Sequence, residues 1–255
     1  MLSEFLQFLF SGVTVGAAYA LVALGFSIIY NASYVINFAQ GEFVMLGGMT
    51  TVTFIGFGLP MPIAVFLAVM VTVAIGLLLE KLAIEPTRDS SVVTMIIITI
   101  GASIFLRGLA QVVLDKEFHA LPPFTGDEPI NILGASLLPQ SIWVIVGMVI
   151  LVVIMVFFFG HTKFGKAMLA SAHNPLAAQL VGINTKQVLM FSFGLSAMLG
   201  AMGGVLIAPI SATYYEVGIM LGLKGFCASI LRSIRRDPFR ADPKVRSASR
   251  KAPTG

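Results

Sequence analysis

Of 255 residues, 57% are hydrophobic and only 11% charged, against roughly 25% charged in a soluble domain. Apolar runs longer than the roughly 18 residues of a spanning helix, without the alternation of barrel strands, give an all-α, polytopic membrane bundle of about seven spans. The net charge of +4 misleads: from residue 231 onward eight Lys/Arg face two acids, leaving eight against ten before it, so nothing in the folded part argues for nucleic-acid binding.

The first seven residues carry no positive charge, and the apolar run after them is too long for the core of a cleaved signal, so none is expected. The first span covers about 5–30. Its Gly12 and Gly16 form a GxxxG pair beside Ala17, Ala18 and Ala20, suited to close helix contact. Residues 31–42, NASYVINFAQGE, are too polar for lipid. They read either as a short loop with Glu42 in the first turn of the next helix, or as a helix break facing a translocation path. The residue pattern favours the loop. A Glu held within the membrane costs roughly 2.5–3.5 kcal/mol on insertion scales.

The second span covers 43–57 and turns at Gly58–Pro60; Pro62 opens a third that reaches Leu79. Residues 80–91 form a charged connection with Pro86 as its stop signal. In the fourth span, 92–114, Arg107 lies near enough to one end to snorkel. Residues 115–138 make a long Pro-containing loop with Asp127 and Glu128 at its tip. The fifth span, 139–159, carries Trp143 as an interface anchor.

Residues 162–184 form the longest polar segment between spans. Asn174 can cap a helix, Pro175 suits its first position, and Gly182 supplies a left-handed turn at its end. Leu176, Ala177, Leu180 and Val181 then share one face of a helix of about two turns. That face fits docking against a cytoplasmic partner; an interfacial turn joining two spans is the equal alternative. A sixth span follows at 188–207, rich in Gly194, Gly200, Gly203 and Gly204, and 217–231 begins a seventh without completing it. Alternating the sides of the membrane groups Lys81, Arg88, Lys163, Lys166 and Lys186 against Lys116 alone. This excess places 162–184 in the cytoplasm and the N-terminus outside.

Chemistry-bearing motifs are weak. Gly160–Lys166 matches GxxxxGK, but Ala167 replaces the required Ser/Thr and no strand precedes it. His119, His161 and His173 have no metal-site spacing, and no nucleophile elbow occurs. No catalytic residue, metal or cofactor is expected. The single Cys227 excludes an intrachain disulfide and reads as a small packing residue.

The run Ala20–Phe26 followed by Ile36-Asn37-Phe38-Ala39-Gln40-Gly41-Glu42-Phe43 resembles the permease subunit of branched-chain amino acid ABC importers, with Gln40 where that family usually has His. Thr162, Gly165–Met168, Ala177, Ala178 and Gly182–Asn184 resemble its cytoplasmic coupling segment, and Gly222–Phe226 a late block. The resemblance covers about 5–231. It implies a half-channel in a bacterial inner membrane, with a second permease subunit, two ABC ATPase subunits and a periplasmic substrate-binding protein as partners. It also implies a substrate path at Asn37, Phe38, Gln40, Gly41 and Glu42, and ATPase coupling at Gly165, Lys166, Ala177, Leu180 and Gly182. Branched-chain amino acids or small amides are the implied cargo; an ion-coupled carrier without ATPases is the alternative. Residues 1–231 would form the permease domain. Residues 232–255 depart from the family's apolar continuation and read as a basic, disordered tail, either from a shifted or truncated frame with the final spans missing or as an authentic tail attracted to anionic lipid.

Overall fold

A computed structural model describes residues 2–87, 90–126, 128–132 and 134–236. Helices run α1 (Leu2–Ser33), α2 (Gln40–Gly56), α3 (Met61–Leu79), α4 (Val92–Val113), α5 (Pro139–His161), α6 (Lys163–His173), α7 (Pro175–Leu180), α8 (Thr185–Ser211) and α9 (Val217–Arg236). A small antiparallel hairpin, β1 (Ile130–Ile132) with β2 (Ala135–Leu137), pairs Asn131 with Ser136. Local signals set the helix starts. Ser91 Oγ accepts from Thr94 N at 3.2 Å, Asn184 Oδ1 from Lys186 N at 3.0 Å, and Pro139 opens α5.

Among the described residues, five helical stretches are long and apolar enough to cross a membrane: Ser3–Ser33, Met61–Thr87, Val92–Val113, Pro139–His161 and Thr185–Ser211. The second and seventh expected spans are shorter: α2 has 17 residues, and the apolar part of α9 is Val217–Ile230. The charged connection expected at 80–91 is instead largely helical. A π-helical turn, Glu80–Ile84, and a 3-10 turn, Glu85–Thr87, extend α3 before the chain turns to α4. Of the residues expected in the basic tail, 232–236 continue α9, and 237–255 lie outside those described.

The two central helices are α2 and α8. Every residue of α2 from Gln40 to Thr51 is buried, and 72% of the apolar window of α8 is covered, against 17% for α5. Small residues allow this. A Cβ on Gly47 would strike the Ala201 backbone, one on Gly204 the Val44 carbonyl, and one on Gly200 would lie 2.8 Å from Phe43 Cβ. Close backbone approach compensates for the missing hydrophobic drive between helices in lipid. The GxxxG pair of α1 has no such role: a Cβ at Gly12 or Gly16 meets open space, and Ala17 and Ala18 carry the contact instead. Nor is Cys227 a packing residue, because it is exposed on α9.

Two contacts define each end of the bundle. At one end Gln7 Oε1 accepts from Ser136 N at 2.8 Å, and His119 and Thr213 exchange backbone hydrogen bonds. At the other, Tyr34 OH donates to Ala172 O at 2.6 Å, and Lys186 Nζ pairs with Glu85 Oε1 at 3.3 Å. The loops grouped by charge in the sequence therefore share one end. Between the ends, the chain after α1 turns back into the bundle. Gln40 sits against Gly25, roughly 12 Å back along α1 from its last residue.

Candidate functional site

The polar segment after α1 is a short irregular stretch, buried along most of its length, with Glu42 in the first turn of α2 as the loop reading had it. Tyr34 adopts φ +58° as α1 ends, and residues 34–39 run without regular structure to the start of α2. Irregular backbone at this depth requires internal partners, and Asn37 supplies them. Its Oδ1 accepts from Ala39 N at 3.1 Å and its carbonyl from Gln40 N at 3.2 Å. Its Nδ2 is buried with no hydrogen-bond partner among the described residues.

The next residues face different ways, as helical spacing dictates. Gln40 points at α8, donating through Nε2 to Ser196 O at 3.2 Å while its Oε1 accepts from Ser196 Oγ. Gly41 faces α9, where Gly218 and Gly222 let the two backbones touch. Glu42 faces α4. Its Oε1 accepts from Ser103 Oγ at 2.7 Å and from Arg107 Nη2 at 3.3 Å, and Nη2 also donates to Ser103 Oγ at 3.3 Å. The Glu42 side chain is 2% exposed and that of Arg107 25%. Arg107 thus turns into the protein to neutralise a buried carboxylate rather than snorkelling to an interface. The attraction to Glu42 is available within hydrogen-bond distance and an aqueous rim is not required.

A cavity of ≈170 Å³ opens beside this pair, between α1, α2, α4 and α9. Glu42, Ser103 and Arg107 form its polar wall, and Phe26, Phe38 and Phe226 its aromatic wall. Phe226 stands 5.8 Å from Phe26 and 5.9 Å from Phe38, ring centre to ring centre. By the measure of about 10–15 Å³ for one water, the space suits a small solute. Of the path residues expected from sequence, Phe38 and Glu42 line this space. Asn37, Gln40 and Gly41 position the backbone that carries them.

The second candidate region is 162–184. Thr162 Oγ1 caps α6, accepting from Gly165 N at 3.0 Å. Gly165 is buried where a Cβ would lie 2.7 Å from Phe159 Cα, so α6 folds tightly back on the end of α5. Asn174 Oδ1 accepts from Ala177 N at 3.0 Å, and Gly182 adopts φ +85° beyond α7. Ala178 anchors α7 to the body, and Gln179 Nε2 donates to Thr185 Oγ1 at 2.9 Å. Leu176, Val181 and Leu180 project outward, 74%, 77% and 88% exposed. Lys166, Ala177 and Gly182 are exposed too, whereas Gly165 is internal.

Ser103 and Gly218 carry no sequence expectation, Arg107 reads there as snorkelling, and Phe26 and Phe226 close resemblance blocks without being placed on the path. Arg107 carried a readable signal: a charged residue in an apolar span needs a partner, and few intramembrane ionisable residues accompany it in the sequence. Among the described residues, no group of three or more His, Cys, Asp or Glu could hold a metal ion.

Helices long and apolar enough to cross a bilayer define a multi-pass membrane protein, and sequence comparison adds its class. The family model for the branched-chain amino acid transport system permease component matches residues 8–234, and the chain belongs to that family. It is 32% identical to the high-affinity branched-chain amino acid transport system permease protein LivH of Salmonella typhimurium, over 92% of this chain and 80% of that protein. LivH of Escherichia coli K12 gives the same identity and coverage. BraD of Pseudomonas aeruginosa is 30% identical over 92% of this chain and 81% of its own length. No solved structure matches the chain.

Proposed function

We propose that this chain is the membrane-spanning permease subunit of an ATP-binding-cassette importer for branched-chain amino acids or related small amides. It would lie in a bacterial inner membrane with its N-terminus outside. A second permease subunit completes the path, two ATPase subunits grip the chain from the cytoplasm, and a periplasmic binding protein delivers solute at the opposite end. ATP hydrolysis resides on the partners. The observation that carries this reading is the outward-facing apolar face of α7, held on a helix capped at its start and turned by a glycine after its end. Such a patch on a polar segment fits an interaction surface, which we assign to the ATPase subunits. Lys166 and Ala177 are exposed on the same polar segment, and Gly165 seats α6 against the end of α5.

Solute passes beside the break before α2. Phe38 and Glu42 meet it, while Asn37, Gln40 and Gly41 hold the break in shape. Movement of α7 by the ATPases reaches this region through α8, which binds Gln40 through Ser196.

Uptake of labelled leucine and of labelled urea, in a strain expressing this chain with its neighbouring transport subunits, tests the proposal. ATP-dependent uptake that disappears with the chain is the expected result. Uptake that persists without ATPase subunits and collapses with the ion gradient would mark an ion-coupled carrier instead.

A further inference from the structure

One exposed side chain carries a charge at the depth of the hydrocarbon core. Lys224 is exposed on α9, and its Nζ sits 5.4 Å from the ring centre of Tyr19. Tyr19 falls midway along the α1 span Ser3–Ser33. The contacts that mark the two ends of the bundle, at Gln7 and Tyr34, are therefore roughly 18 and 22 Å away along the helix axis. A lysine side chain reaches neither. The ring attracts the ammonium through its π face, but no carboxylate among the described residues lies within ion-pair distance of it. Left against acyl chains, such a group is among the costliest a membrane protein can expose.

The surface around Lys224 suits another helix better than lipid. Met220 and Cys227 flank it on the exposed face of α9. On α1, further toward Gln7, Gly12 and Gly16 are exposed with open space where a Cβ would stand, and Val13 is exposed beside them. Small residues admit a neighbouring backbone, and the ammonium specifies what that neighbour carries. We infer that the α1–α9 face is a docking surface for a membrane helix of a different chain, one bearing an Asp or Glu at mid-depth that pairs with Lys224. A second copy of this chain does not fit. Copies inserted in the same orientation are related about the membrane normal, so equal depths meet and Lys224 would approach its own counterpart. Nor does a copy supply the acid: Glu42 is buried and bound to Arg107, and Glu216 precedes α9, about two turns from Lys224. The inference involves neither the solute nor the ATPases.

The test is resonance energy transfer from the labelled full chain, in liposomes of neutral lipid, to synthetic membrane-spanning peptides. Each peptide is a Leu/Ala host helix with Asp or Leu at its midpoint, or with the Asp moved two turns toward one end. The midpoint-Asp helix should bind about tenfold more tightly than either of the others. Lys224→Met should abolish that preference; the change removes a charge from the lipid-facing surface, so insertion is kept. Gly16→Leu should weaken binding of the midpoint-Asp helix by filling the open space beside α1. Equal binding of the Asp and Leu helices, or a preference that survives Lys224→Met, overturns the inference. So does oxidative cross-linking of the unaltered chain to itself through Cys227, which would make a second copy the occupant of this face.

Discussion

Gly41 and Gly218 meet backbone to backbone: a Cβ on Gly41 would fall on the carbonyl oxygen of Gly218, and one on Gly218 would lie 2.6 Å from the carbonyl oxygen of Gly41. This crossing of α2 and α9 sets the width of the cavity, because Glu42 follows Gly41 and Phe226 lies two turns beyond Gly218. Gly41→Ala should push α9 away and cost roughly 1–3 kcal/mol, as overpacking does. Thermal unfolding of the purified chain should show a lowered midpoint with Gly41→Ala and none with Gly12→Ala, whose Cβ enters open space.

The exposed tip of α7 gives a prediction that separates folding from coupling. Leu180 is 88% exposed, so Leu180→Asp should change stability by no more than about 0.5 kcal/mol. Solute uptake should nevertheless fall to background while the amount of chain in the membrane stays the same. Normal uptake by this variant would remove α7 from the coupling path.

Removing one half of the buried pair should be far worse than removing both. Glu42→Ala leaves Arg107 charged and unpaired. The penalty for a fully enclosed pair is about 3–5 kcal/mol, and the 25% exposure of Arg107 lowers the expectation to roughly 2–3 kcal/mol. Replacing both residues with Met should restore most of that loss in unfolding experiments without restoring uptake.

The cap of α7 makes a local prediction. Asn174 Oδ1 holds Ala177 N, and Asn174→Ala should cost about 1 kcal/mol. Hydrogen exchange at the Ala177 amide should quicken accordingly, with Asn174→Asp protecting it.

Local signals and tertiary partners were not equally legible in the sequence. Asn174, Pro175 and Gly182 announce α7 because caps and left-handed turns are decided within a few residues, and the structure places all three in those roles. The glycines of α8 pointed to close packing for the same reason. The burial of Asn37 and of 39–42 was not decided locally. The segment's polarity favours a loop, and only the partners supplied by α4, α8 and α9 make burial tolerable. Arg107 shows the same limit: nearness to a helix end suggested water, but Glu42 lies 65 positions away in sequence. The GxxxG of α1 shows the converse, a motif permitting contact on a face where the chain offers none.

The docking of α7 on a cytoplasmic ATPase is the claim on which the account turns, and site-directed cross-linking tests it most directly. In a Cys227→Ser background, Leu180→Cys paired with a cysteine introduced on the ATPase surface should form a reducible disulfide on treatment with a mild oxidant, in membranes holding the assembled transporter. Labelling of that same cysteine by a membrane-impermeant thiol reagent added outside intact spheroplasts would contradict it.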